Sequence, residues 1–482
     1  GCLGGTRGFA TFRHLLSPLL ALPHAAAALG LAFLIAPSGW IARALSPWAT
    51  GWSDPPDLMI LNDPGGLALT AGLVAKEVPF LLLMALAALP QTDAPRRAAI
   101  AASLGYGRAM GFVLTTLPPL YARLRLPVFA VLAYGMTNVD MALILGPSLP
   151  STLAVQITAW MAAPGLDHLP TAAAGAVVQL ALVGAAMALW RLVEHLTAPL
   201  IPALALRGRR GRALDAPLST LARSLALLIA LGLGTGLAGL VVWSFAGLWQ
   251  FPDALPDSLT LKTWAKAAPD LTATSLTTLG IALAASLAAL GLTLATLEAE
   301  ARSTRPLRLE PLIYLPLILP QIAFLPGLQI LALTLGAKGN AATVAAAHLV
   351  FVLPYVWLSL APAYRAWDAR IGLTAAAMGV SPARIFWHLR LPMLLAPVLT
   401  ALAVGVAVSV GQYLPSLMLG GGRVETLTTE AVALASGGNR RLIGAVALMQ
   451  MALPAMGFGL ALALPRLAFA NRRGMLAERG PA

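Results

Sequence analysis

Stretches of about 20 consecutive apolar residues recur along this chain, and a helix of that length is what crosses a hydrocarbon layer roughly 30 Å thick. Ten such stretches run over 14–36, 66–90, 124–147, 172–200, 220–247, 271–297, 311–335, 342–364, 395–418 and 441–465. Many hold Pro or Gly, which membrane helices tolerate. The composition agrees: 59% of the 482 residues are hydrophobic and only 11% are charged, against about 25% charged in a soluble domain. Too few charges are left to clothe a water-facing surface, so the apolar surplus must face lipid. The expected fold class is an all-α polytopic membrane protein.

Lys and Arg set the orientation, because positively charged loops stay inside. With the N-terminal stub inside and the spans alternating, the inner side holds 24 of the 32 basic residues. Among them are Arg96, Arg97, Arg108, Arg207, Arg209, Arg210, Arg212, Arg302, Arg305, Arg365, Arg370, Arg384 and Arg472. The outer side holds Arg43, Lys76, Lys262, Lys266, Lys338, Arg423, Arg440 and Arg441. Both termini are therefore expected in the cytoplasm. The net charge of +13 records this topology and needs no nucleic-acid partner.

The spans repeat. A shift of 274 residues aligns 101–146 with 375–420 without a gap, bringing Gly105 onto Gly379, Phe112 onto Phe386, and Leu117-Pro118 onto Leu391-Pro392. At a shift of 297, Leu22-Pro23 falls on Leu319-Pro320 and Gly30-Leu31 on Gly327-Leu328. Two copies in the same orientation follow, with an insertion in the first half near 37–65. The basic stretch R-G-R-R-G-R-A-L-D-A-P at 207–217 reads as a linker. The expected domains are a first half over 1–204, a basic cytoplasmic linker over 205–219 and a second half over 220–482. Six spans follow the linker and four precede it, so the N-terminal two of an expected six-plus-six arrangement are expected to be missing by truncation.

The best repeated feature lies between spans, on the inner side. Its copies read R-R-A-A-I-A-A-S-L-G-Y-G-R-A-M-G-F-V-L-T-T-L-P at 96–118 and R-I-G-L-T-A-A-A-M-G-V-S-P-A-R-I-F-W-H-L-R-L-P at 370–392. Each is an Ala-rich helix whose small side chains admit a second surface. A Gly free to turn the chain follows, then an amphipathic run, then a Leu-Pro that opens the next helix. This pattern resembles the membrane permease of binding-protein-dependent type I ABC importers, whose signature is E-A-A, three residues, G, nine residues, I-x-L-P. The Gly to Leu-Pro spacing matches in both copies. The Glu position holds Ala99 and Leu373, and the Ile position Thr115 and Leu389.

The resemblance implies a fused double permease, similar to ferric-iron and thiamine importers. It implies that the two EAA-type coupling loops, with Ala101, Ala102, Gly105, Leu117, Pro118, Ala375, Ala376, Gly379, Leu391 and Pro392, dock on two copies of a cytoplasmic ABC ATPase. A periplasmic substrate-binding protein and a bacterial inner-membrane location are implied with it. No cofactor, metal site or catalytic residue is expected: H-E-x-x-H, C-x-x-C and a phosphate-binding G-x-x-x-x-G-K-[S/T] are absent from the sequence, and Cys2 stands alone.

Polar groups inside apolar spans are expensive and mark path candidates. Asn138 falls on Gln412 under the 274 shift, with Tyr134, Asp140 and Tyr413 beside them; interhelical hydrogen bonding is the plainer role for both amides. His24 and Gln321 correspond under the 297 shift, each after a Leu-Pro, and a local backbone role suits them. His348 reads as a satisfied structural residue. Lys76 and Glu77 read as snorkelling at the outer end of their span. Gly420-Gly421-Gly422 with Arg423 reads as a turn, a gate or a binding-protein contact. Two rivals stand beside the importer: a secondary transporter of parallel-repeat architecture, and a polytopic enzyme with convergent His, Asp or Glu at one depth.

Overall fold

The computed structural model describes residues 22–163, 165–303 and 309–469. The N-terminal stub with Cys2, the first part of the span over 14–36, Arg305 and Arg472 lie outside the described residues. Within them the chain is helical, with only two isolated β-bridges. Lipid leaves backbone groups no partner but their own helix, and Ala and Leu, which dominate the spans, are strong helix formers.

The first copy comprises α1 (His24–Ile35), α2 (Leu67–Ala88), α3 (Ala94–Ser103), α4 (Arg108–Gly111), α5 (Leu117–Thr137), α6 (Asp140–Leu145), α7 (Leu153–Ala162) and α8 (Leu169–Thr197). Next come α9 (Asp215–Phe245), α10 (Lys262–Arg302) and α11 (Glu310–Ile318). The second copy runs through α12 (Gln321–Thr334), α13 (Ala341–Arg365), α14 (Ala369–Ala377), α15 (Pro382–Ile385), α16 (Leu395–Val410), α17 (Leu414–Gly420), α18 (Leu427–Ala435) and α19 (Arg440–Ala468).

The duplication is carried to the residue. Adding 274 to the first residues of α2, α4, α5 and α7 gives 341, 382, 391 and 427, and helices begin at each. Adding 297 to His24 gives Gln321, the start of α12. A π-type wide turn over Phe112–Thr116 recurs at Phe386–Arg390, again 274 residues on.

Nine of the ten expected spans have counterparts among the described residues: seven helices of membrane length and two bent pairs, α11 with α12 (109°) and 382–393 with α16 (76°). The span expected over 124–147 is instead two helices, α5 and α6, broken at Asn138. Hydropathy averages over such a break, because a polar Asn weighs little in a long apolar window. The same break separates α16 from α17 around Gln412.

Two compact units emerge, each described by itself. One holds residues up to Trp264 together with 318–324 and 434–445; the other holds the rest. In the first, α1 is apolar all round and buried on nearly every side, as a helix enclosed by others must be. Its tightest neighbour is α9. A Cβ on Gly30 would sit 3.1 Å from the Gly236 carbonyl carbon, and one on Gly236 would sit 2.8 Å from the Gly30 carbonyl. Small residues thus let two backbones cross in direct contact. Asp63 starts α2, accepting from the backbone N–H of Ala68 (3.0 Å) and Leu67 (2.8 Å). Those two bonds hold its carboxyl below the usual carboxylate range. Buried Arg43 donates to the carbonyls of Gln250 (2.6 Å), Asp253 (3.0 Å) and Ser38 (3.1 Å), lying over Trp249.

In the second unit α10 buries a stripe spaced by three and four residues, from Leu271 through Ser275, Thr278, Ala282, Ala285, Ser286 and Ala289 to Thr293. Its small side chains admit α16: a Cβ on Gly405 would meet Ser286 at 3.0 Å. Helix α13 fills the centre with Phe351, Val352, Val356, Trp357 and Leu360.

The Gly30–Gly236 crossing predicts a sharp positional contrast. Gly236→Val should lower the detergent melting temperature of the purified protein, by overpacking worth about 1–3 kcal/mol. Gly234→Val, two residues away with open space around its Cβ, should leave it near wild type. Equal melting temperatures for the two variants would remove the crossing from the list of stability determinants.

Candidate functional site

Each repeated loop begins with a helix that ends in the same three hydrogen bonds. In the first, Leu104 N–H donates to the Ile100 carbonyl (3.2 Å), Gly105 N–H to Ala102 (2.9 Å) and Tyr106 N–H to Ala101 (3.0 Å). In the second, Met378 donates to Thr374 (3.2 Å), Gly379 to Ala376 (2.9 Å) and Val380 to Ala375 (3.1 Å). The glycines sit at φ +82° and +81°, a left-handed conformation that a residue with a Cβ enters only at a penalty. Ala101 and Ala375 are buried, Ala102 and Ala376 exposed. Alanine is needed at 101 because α4 passes over it: a Cβ on Gly111 would lie 2.8 Å from the Ala101 Cβ. Leu117-Pro118 and Leu391-Pro392 open the α-helical segments that follow directly on the wide turns over Phe112–Thr116 and Phe386–Arg390.

Around these turns large apolar side chains stand in the open: Ile100 and Leu104 in the first loop, Leu373 and Met378 in the second, the last 78% exposed. Asp368 caps α14, and the Arg370 side chain and backbone N–H hold its carboxyl below the usual range.

One ion-paired cluster braces the second loop and another ties α5 to α8 in the first unit, and sequence reading did not single them out. In the second unit Arg390, the last residue of the wide turn, pairs with Glu298 of α10, donates to the Tyr364 hydroxyl (3.0 Å) and lies 4.3 Å over the Trp367 ring. Arg365 pairs with Glu300 (2.9 Å) and Glu310 (2.5 Å). In the first unit Glu194 of α8 takes Arg125 (3.1 Å), Arg191 (2.7 Å) and the Tyr121 hydroxyl (2.5 Å). The signal was present as acidic residues near the inner ends of spans, where the charge rule gives them little weight.

The linker closes over the first loop. The Gly107 N–H donates to the Arg210 carbonyl (2.7 Å), Arg212 Nε to the Gly105 carbonyl (2.9 Å), and an Arg210 amine to the Leu104 carbonyl. The Asp215 carboxylate accepts from the backbone N–H groups of Arg108 (2.8 Å) and Ala109 (2.9 Å).

The path candidates fall at the two helix breaks. Asn138 is fully used: its Oδ1 accepts from Met141 N–H (2.8 Å), and its Nδ2 donates to the Tyr134 hydroxyl (2.7 Å) and to Asp140 Oδ1 (2.8 Å). Asp140 is buried, and its Oδ2 has no hydrogen-bond partner among the described residues. Gln412 and Tyr413 occupy the second break: the Gln412 carbonyl accepts from the Ser416 hydroxyl (2.9 Å), and Tyr413 precedes α17.

Two expectations change. Lys76 and Glu77 do not snorkel: they lie mid-way along α2, with Lys76 buried and donating to the Leu22 carbonyl (2.5 Å). That carbonyl precedes Pro23, so a lysine stem folds inward to serve it. His24 does more than serve its backbone, since its Nε2 lies 3.2 Å from Glu77 Oε1 and its ring 4.6 Å from that of Tyr134. His24, Glu77, Tyr134, Asn138 and Asp140 thereby form one polar chain inside the first unit. The Gly420-Gly421-Gly422 tract is a turn, with positive φ at Gly421 and Gly422 and Arg423 N–H donating to the Gly420 carbonyl (3.0 Å). His348 is satisfied as expected, with Nδ1 2.7 Å from Ser409 Oγ and Nε2 2.9 Å from Ser416 Oγ.

No family model matches the chain. It is 33% identical over 442 residues to the inner membrane ABC transporter permease protein YnjC of Escherichia coli K12, an alignment covering 92% of this chain and 78% of that protein. Over 146 residues it is 32% identical to the molybdenum transport system permease protein ModB of Mycobacterium bovis, and equally to that of Mycobacterium tuberculosis. That match takes in 28% of this chain and about half of ModB, 55%. With a third of its residues shared with YnjC across nearly its whole length, on a multi-pass helical membrane fold, the chain belongs to the inner membrane permeases of ABC transporters.

Proposed function

We propose that this permease is the channel-forming subunit of an ATP-driven importer and receives motion through the turns at Gly105 and Gly379. The observation that carries the reading is the identity of those turns: equal φ, equal hydrogen bonds and exposed apolar knobs, 274 residues apart. Two docking surfaces built on the same turn fit two copies of one cytoplasmic ATPase, and substrate arrives from a periplasmic binding protein. The bias of Lys and Arg puts both loops and both termini in the cytoplasm. On the opposite side, a cleft of about 510 Å³ lined by Lys338, Asn340, Arg423 and Glu425 suits the binding protein. The domain reading stands with it: a first half over 1–204, a linker over 205–219 and a second half over 220–482.

The breaks at Asn138 and Gln412 lie where helices release polar groups, and we assign the path to them, with Asp140 and Tyr413 beside them. Asp140 keeps an unengaged carboxylate oxygen, so it has capacity for a substrate contact that Asn138 lacks. The rival secondary transporter would use His24, Lys76, Glu77 and Asp140 as coupling groups. Reconstitution separates the two readings: uptake by the permease in liposomes without any ATPase would overturn the importer.

Two variants test the parts. Proline cannot enter a left-handed turn, so Gly105→Pro with Gly379→Pro should insert normally in the membrane yet lose stimulated ATP hydrolysis and uptake by at least about tenfold. Unchanged uptake would defeat the loop assignment. Asp140→Asn replaces the unengaged oxygen by a donor of the same shape. Uptake should fall about tenfold, the scale of one charge-assisted contact, with protein yield unaltered; wild-type uptake would take Asp140 out of the path.

A further inference from the structure

The two loops share backbone but differ at one capping position. Gly107 and Ser381 correspond under the 274 shift, and each is the residue before a helix, with the same extended backbone (φ −63°, ψ 162° and φ −66°, ψ 148°). Serine is a preferred residue there; glycine brings no side chain. In the first copy the space is filled from elsewhere. A Cβ on Gly107 would lie 2.7 and 2.9 Å from the Asp215 carboxylate oxygens and 2.9 Å from the Arg212 Cα.

Those oxygens accept from Arg108 and Ala109 N–H, the second of which is a bond a local cap would make. Helical structure runs unbroken from Arg108 to Thr137, so Asp215 caps a helix of membrane length from 107 residues away and places negative charge at its positive end. Around it, Arg210 lies 4.8 Å over the Tyr106 ring. Gly211, at φ +63°, brings the linker within 3.0 Å of Met110 at its Cβ position. At the second loop, among the described residues, nothing lies within 4 Å of the Cβ position of Gly379.

We propose that the segment joining the two halves is a clasp that positions the first loop, with Asp215 as its cap supplied in trans, and that the two loops are therefore inequivalent. The first is ordered by its own chain before any partner arrives. At the second, among the described residues, Asp368 caps α14 and the Ser381 side chain makes no cap hydrogen bond to α15. Gly107 is the complement of Asp215: the missing side chain makes room for the carboxylate. The clasp rests on the coupling reading only for its functional consequence, since its geometry is internal to the permease.

Hydrogen exchange on the full chain in nanodiscs, without ATPase, tests the clasp alone. Asp215→Ala should speed exchange at the Arg108 and Ala109 amides about fivefold, with Ser381 and Ala383 unchanged. Asp215→Asn, which still accepts, should stay near wild type. Gly107→Ser should act like Asp215→Ala by displacing the carboxylate, and Gly107→Ser with Asp215→Ala should restore protection at the Ala109 amide by offering the serine hydroxyl as a local cap. Unchanged exchange in both Asp215→Ala and Gly107→Ser would overturn the clasp. With the ATPase present, Asp215→Ala should lower stimulated hydrolysis severalfold and the double variant should recover it. Faster exchange with undiminished hydrolysis would uphold the clasp and overturn the coupling role of the first loop.

Discussion

Backbone hydrogen bonding in lipid is the constraint on which the rest of this structure depends. A peptide group that cannot reach water must bond within its own helix, so the chain is helical wherever it is apolar. Every departure from helix is then a place where something else satisfies the backbone. Three departures have an identifiable donor or acceptor. Lys76 serves the carbonyl before Pro23, Asn138 caps the helix after its own break, and Asp215 serves the turn at Gly107. Polar side chains in this protein are placed by the backbone groups that the helices leave over.

The duplication makes this reasoning comparative, because two copies hold one backbone with different side chains. Where the backbone alone matters, the copies agree: Gly105 and Gly379 share a φ that only glycine adopts freely, and both Leu-Pro pairs open helices. Where chemistry matters, they diverge. Asp140 corresponds to Leu414 and His24 to Gln321, so the polar chain from Glu77 to Asp140 belongs to the first copy. The second copy has its own buried histidine, His348, held between Ser409 and Ser416, where the first copy has Val74, Gly135 and Ala142. A duplicated permease freed from strict symmetry can specialise each half for a different part of one task.

Much of this was legible in the sequence, for physical reasons that also explain the rest. Hydropathy and the charge bias depend on totals, and totals survive without a structure; spans and repeat follow from them. The turn at each loop was legible because glycine spacing reports backbone conformation directly. Three features were not. The break at Asn138 disappears in a window average. Lys76 looked like a helix-end cation because its burial depends on a carbonyl 54 residues earlier. Asp215 was one residue of the stretch over 207–217 read as a linker, and its partners lie more than 100 residues before it. What sequence reading lost was long-range pairing between a polar side chain and a backbone group, which no local pattern encodes.

One clue to that pairing was nevertheless on view. The repeat aligns Gly107 with Ser381, a substitution that removes a good cap from a position whose backbone is otherwise unchanged. Within a duplicated chain, a cap-favouring residue type present in one copy and absent in the other directs attention to donors or acceptors supplied from elsewhere. The helix after Gly107 starts at the same register as its twin, and its first N–H groups are served by an acceptor from outside the repeat. The nearest acidic residue of the linker is Asp215. Differences between copies, read position by position against a shared backbone, therefore point to the contacts that each copy makes outside the repeat.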